Sequence, residues 1–104
     1  LEAASAYRGF LVLKHSTRCP VSSQAALSLQ RWEAPADTPP LFLVYVVEDR
    51  SLSLAMADRW EVRHESPQLL WWLNGKIQHH TSHFEVRGTT ISAWMDQTIA
   101  PNLG

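Results

Sequence analysis

Two short apolar runs constrain this chain more than any other feature. They are Gly9-Phe10-Leu11-Val12-Leu13 and the β-branched run from Leu41 to Val47. Continuous apolar segments of this kind suit strands, the first of them buried on both faces. Between them lies one helical pattern headed by Pro20, whose missing N–H costs nothing in a first turn. Val21, Ala25, Leu29 and Trp32 keep one face of that helix inward, and Ala34-Pro35-Ala36-Asp37-Thr38-Pro39-Pro40 ends it. Strand, helix and strand in this order predict a right-handed βαβ unit.

The second half has a different rhythm. Ser51 is a suitable N-cap for a helix to about Trp60, with Leu54, Ala55 and Ala57 in its body. Pro67 precedes a third apolar run, Leu69 to Leu73. Asn74-Gly75 is a strong hairpin signal, and it predicts an antiparallel partner from Lys76 to His80. A loop at Thr81-Ser82-His83 follows. Thr89 or Thr90 can cap a last helix ending near Thr98, with Ile91, Trp94, Met95 and Ile99 on one face and Gly88 and Pro101 bracketing it. The order βαβαββα predicts an α/β, thioredoxin-like fold: a mixed four-stranded sheet with helices on both faces.

At 104 residues the chain fits a single domain spanning 1–104. It is 45% hydrophobic and 18% charged, too apolar for disorder. A net charge of −1 with no basic stripe argues against a nucleic-acid partner. No apolar run approaches the roughly 20 residues that span a bilayer, so no membrane association is expected. Leu1 to Tyr7 lacks the basic and apolar regions of a signal peptide. A single cysteine cannot form an internal disulfide, and it points to a reducing compartment, the cytoplasm.

That cysteine, Cys19, stands where the first strand ends and the Pro20 helix begins. Free backbone N–H groups and the positive end of the helix dipole favour a thiolate at such a place, by about 0.3–1 kcal/mol and more when partly buried. Arg18 adds a neighbouring cation. The thiolate is the species that exchanges disulfides, so the placement predicts redox chemistry.

The residues around Cys19 narrow this expectation. Lys14-His15-Ser16-Thr17-Arg18-Cys19-Pro20-Val21-Ser22 resembles the active-site segment of the monothiol bacilliredoxins, thioredoxin-like proteins in which Cys-Pro-Ile/Val-Ser replaces a dithiol motif. Arg50-Ser51-Leu52-Ser53 is similar to that family's Arg-x-x-Ser helix start. His64-Glu65-Ser66-Pro67-Gln68 is similar to its cis-proline loop, and Asn74-Gly75-Lys76 and Ser82-His83-Phe84 to its hairpin and following turn. The resemblance covers about residues 9 to 98.

It implies that Cys19, Pro20 and Ser22 form the catalytic segment. Ser22 takes the place of a resolving cysteine, with a hydroxyl able to hydrogen-bond the thiolate. Ser66 and Pro67 would meet the substrate backbone, and His64 lies in the same loop. Bacillithiol carries carboxylates, so Arg18, Arg50 and Arg63 are candidates for a cationic pocket. A salt bridge from Arg50 to Glu48 or Asp49 is the plainer reading of that residue. The implied partners are S-bacillithiolated client proteins and a low-molecular-weight thiol. Bacillithiol serves as co-substrate, with no tightly bound cofactor.

Two other readings stay open: an iron–sulfur carrier using one Cys per subunit plus a small thiol, and a redox-inactive binding adaptor. A peroxidase is less attractive because Ser16, not Thr, stands three before Cys19. The five histidines suggest no metal site: His79 and His80 point to opposite faces of a strand, and His79 with His83 lacks a further ligand. His83 is expected to anchor its turn, and the five Trp residues to fill the core.

Overall fold

The computed structural model describes residues 8–98; the expectations placed on Leu1 to Tyr7, Ile99 and Pro101 lie outside them. The elements are β1 (Phe10–His15), α1 (Pro20–Arg31), β2 (Leu41–Tyr45), α2 (Arg50–Trp60), β3 (Gln68–Leu73), β4 (Lys76–Ser82), a 3-10 turn (His83–Glu85) and α3 (Gly88–Thr98). The strands form one sheet in the order β2-β1-β3-β4. β1 and β2 run parallel, joined through α1, whereas β1/β3 and β3/β4 are antiparallel. This is the thioredoxin-like arrangement that the element order predicts.

β1 is buried along all six residues, because it has a strand on each side and helices on both faces. Leu11 and Leu13 join Leu69, Trp71 and Leu73 of β3 on one face, under Ala25 of α1 and Ile91, Trp94 and Met95 of α3. Phe10 and Val12 join Val44 and Leu70 on the other, under Met56 of α2. All five Trp residues belong to or pack against one of these two cores. Trp71 and Trp72 are consecutive in β3 and so fall on opposite sides. Gly9, at φ 71, turns the chain into β1 beside the Trp72 carbonyl, where any Cβ would overlap it.

Several boundaries differ from the sequence expectation. β2 stops at Tyr45, and residues 46–49 turn into α2. As the outer strand it leaves Leu41, Leu43 and Tyr45 exposed on one side. α2 has Asp49, not Ser51, at its N-cap, and it buries Ser53 and Met56 while Leu54 stays exposed. β4 continues through Thr81 and Ser82, which pair with Leu69 and Gln68. α3 begins at Gly88; neither Thr89 nor Thr90 caps it, and the Thr90 hydroxyl donates instead to the Glu85 carbonyl at 2.8 Å. No described helix is long and apolar enough to cross a membrane.

His79 links β4 to α3. Its ring stacks on Trp94 at 5.3 Å and 10° and faces Trp71 at 5.9 Å, and Nε2 lies 2.7 Å from Thr98 Oγ1. Burial pushes its pKa below the ordinary imidazole value. Below about pH 6.5 the unfolded chain therefore binds a proton that the folded chain resists, and stability falls as pH falls. The urea midpoint should drop between about pH 7.5 and about pH 5.5. His79→Gln should flatten part of that drop, and an unchanged pH dependence in the variant would contradict this assignment.

Candidate active site

The site is built at the end of β1. Cys19 is the N-cap of α1, with extended backbone (φ −108, ψ 119), and it is half-buried. Pro20 follows at the first helical position. The Cys19 N–H donates to the Ser16 carbonyl at 3.3 Å, closing a tight turn, and its own carbonyl accepts the Ser23 N–H at 2.9 Å. The Ser16 hydroxyl oxygen accepts the Arg18 N–H at 3.3 Å. The thiol therefore rides on a hydrogen-bonded turn at the helix's leading end, where first-turn N–H groups are free of intrahelical partners.

Ser22 does not serve the sulfur directly, contrary to the sequence expectation. It is fully buried. Its hydroxyl oxygen accepts the Ser16 N–H at 2.9 Å and lies 2.7 Å from His15 Nδ1. Among the described residues, the Cys19 thiol has no hydrogen-bond partner. The hydroxyl is taken up instead by the buried His15 ring and the part-buried Ser16 N–H, polar groups that are costly to leave unpaired.

The proline loop lies at the same end of the sheet, just before β3. The Ser66–Pro67 peptide is cis. Antiparallel pairing of Lys14 with Gln68 sets Pro67 across from His15, one step further along. Pro67 is buried, and its carbonyl accepts the His83 N–H at 2.9 Å. His83 adopts a left-handed backbone (φ 59) there, with Nε2 3.8 Å from Glu65 Oε1. The Ser66 hydroxyl oxygen is buried without a hydrogen-bond partner among the described residues.

His64 is directed at a buried lysine. Lys14 has no solvent exposure, and its ammonium donates to the Ser53 carbonyl at 2.8 Å. His64 Nδ1 lies 3.4 Å from Lys14 Nζ and 3.3 Å from Ser53 Oγ. An ammonium only donates, so Nδ1 is an acceptor and the proton of the neutral ring sits on Nε2. Burial lowers the His64 pKa first, and the positive charges of Lys14 and Arg50 lower it further. Burial likewise lowers the Lys14 pKa.

Arg18, Arg50 and Arg63 are exposed. Arg50 is the first residue of α2, and among the described residues it pairs with neither Glu48 nor Asp49, so the salt-bridge reading fails. The Arg63 carbonyl accepts from Gln68 Nε2 at 2.8 Å. Sequence reasoning missed a further cation, Arg87. It lines a cleft of about 130 Å³ between α1 and the segment after β4, together with Val21, Gln24, Ala25 and Phe84. Phe84 is 74% exposed on that cleft. No local pattern marks Arg87, which follows the 3-10 turn. His15 and Lys14 were visible only as motif neighbours of Cys19. No three His, Cys, Asp or Glu residues cluster as metal ligands among the described residues.

Comparison with known proteins bears on the family and the fold. A protein-family model described as monothiol bacilliredoxin BrxC matches residues 1–91. A solved structure described as a candidate oxidoreductase with a thioredoxin fold superposes with a TM-score of 0.73 at 27% identity, covering 88% of this chain and 80% of the other.

The Lys14–His64 contact has a measurable consequence. Lys14→Met removes one positive charge beside the imidazole, so the His64 titration followed by NMR should move up toward the ordinary value. Arg50→Gln should move it in the same direction by a smaller amount. A His64 titration unmoved by Lys14→Met would show that the ammonium does not act on the ring.

Proposed function

Because this chain belongs to the monothiol bacilliredoxin family, we propose that it is a thiol–disulfide oxidoreductase that removes bacillithiol from S-bacillithiolated proteins. The observation that carries this reading is a half-exposed thiol at a helix's leading end, with serine buried where a second thiol would stand.

The reaction follows from having one thiol. The Cys19 thiolate attacks the bacillithiol sulfur of the client's mixed disulfide. That S–S bond breaks, the client cysteine leaves as thiolate and takes up a proton, and a Cys19–bacillithiol disulfide forms. Ser22 cannot attack this adduct. A second low-molecular-weight thiolate attacks the bacillithiol sulfur instead, frees Cys19 and departs as a small-molecule disulfide. Electrons balance: one disulfide is consumed and one formed in each step. The edge at Ser66 and Pro67 supports docking of the substrate backbone. Exposed Arg18, Arg50 and Arg63 are the cations for bacillithiol carboxylates, and Arg87, paired with Glu85 at 3.4 Å, lines the cleft beside Val21. The reducing cytoplasm is the compartment in which this cycle runs.

Reduced protein incubated with a bacillithiolated client should acquire one bacillithiol on Cys19, seen by intact mass and peptide mapping, while the client regains its thiol. Cys19→Ala should acquire none. An adduct that forms equally in Cys19→Ala would refute the assignment. Competition with glutathione and coenzyme A disulfides tests the identity of the small thiol, and bacillithiol should react fastest.

Ser22→Cys tests the monothiol step separately. A thiol at position 22 should expel bacillithiol from Cys19 without added thiol, leaving an intramolecular disulfide. Persistence of the adduct in that variant would mean that position 22 does not determine how the cycle ends.

A further inference from the structure

His15 takes no part in the exchange just described, yet it is one of the best-held side chains in the site. It is the last residue of β1 and nearly buried, and its ring packs against Tyr45 at 5.9 Å between centroids. Nδ1 lies 2.7 Å from Ser22 Oγ, and that same oxygen accepts the Ser16 N–H at 2.9 Å. Ser16 is the hub of the thiol turn. Its carbonyl accepts the Cys19 N–H and its hydroxyl oxygen accepts the Arg18 N–H. An unbroken chain of hydrogen bonds thus runs from the imidazole through Ser22 and Ser16 to the backbone of Cys19.

We infer that His15 is a positioning residue for the thiol. Acting through Ser22, it holds the Ser16–Cys19 turn that carries the sulfur at the leading end of α1. The physical reason lies in the geometry of the serine. A hydroxyl rotates freely about its C–O bond and has one proton to give. Held only by the Ser16 N–H, Ser22 Oγ could exchange rotamers and drop that bond. Held also by a nearly buried ring packed beside the neighbouring-strand Tyr45, it keeps one orientation, whichever partner carries the shared proton. Helix N-terminal stabilisation of an anion falls off within the first turn, so a thiol displaced by a loosened turn loses it. The inference rests on Cys19 being the reacting thiol, and not on the identity of the small thiol or the client.

The test uses the intact protein and readouts that need no bacillithiol. In His15→Leu the Ser16 amide should exchange with solvent at least about tenfold faster. Alkylation of Cys19 by iodoacetamide at neutral pH should slow by about threefold to tenfold. His15→Asn, whose amide can reach the Nδ1 position, should restore both. Ser22→Ala should reproduce the defect, and adding His15→Leu to Ser22→Ala should slow alkylation no further. A role confined to packing predicts a lower melting temperature with unchanged amide exchange and alkylation, and that result would overturn the inference. So would additive losses in the double variant. If these readouts move as expected while debacillithiolation fails, the positioning role stands and the proposed substrate falls.

Discussion

β1 is buried along its whole length, and it ends in two polar residues that cannot be left unsatisfied there. Successive side chains of a strand leave through opposite faces. Lys14 therefore emerges under α2 and His15 under α1. Each finds a serine: Ser53 on one side and Ser22 on the other, both without solvent exposure. The rest of the site is arranged around these two anchors. One ties the start of α2 to the His64 end of the proline loop, and the other ties the thiol turn to the head of α1.

The electrostatics follow from the same placement. A buried ammonium with a neutral carbonyl as its short-range partner is costly to keep charged, so its pKa falls. It also lowers that of the imidazole beside it. Arg18, Arg50, Arg63 and Arg87 are exposed and keep their hydration. The chain as a whole is nearly neutral, at −1.

Much of the fold was legible because strands and helices announce themselves locally. The apolar runs, Pro20 at the first turn, and Asn74-Gly75 with both residues at positive φ each encode their own geometry. Element ends were less legible. Ser51, Thr89 and Thr90 are good cap residues by type, but the turn after β2 and the 3-10 turn after β4 delivered the chain to Asp49 and Gly88 first. The site shows the same division. Cys19 at a strand–helix junction and the Ser-Pro bend are sequence features with a local meaning. The partner of Ser22 is not: a serine three residues after a cysteine suggests contact with sulfur, and nothing local says that a histidine seven residues earlier will claim it.

By itself the sequence determined the element order, the thioredoxin-like class, the family and the single thiol, since all of these reside in runs and motifs of a few residues. Only tertiary structure decided which polar groups would meet. It turned Ser22 from the sulfur to His15, took His64 to a buried lysine, and opened a cleft beside Arg87. The reason is that hydrogen-bond partners across a sheet are chosen by strand register and helix docking. Those depend on the whole core at once, and no segment carries them alone.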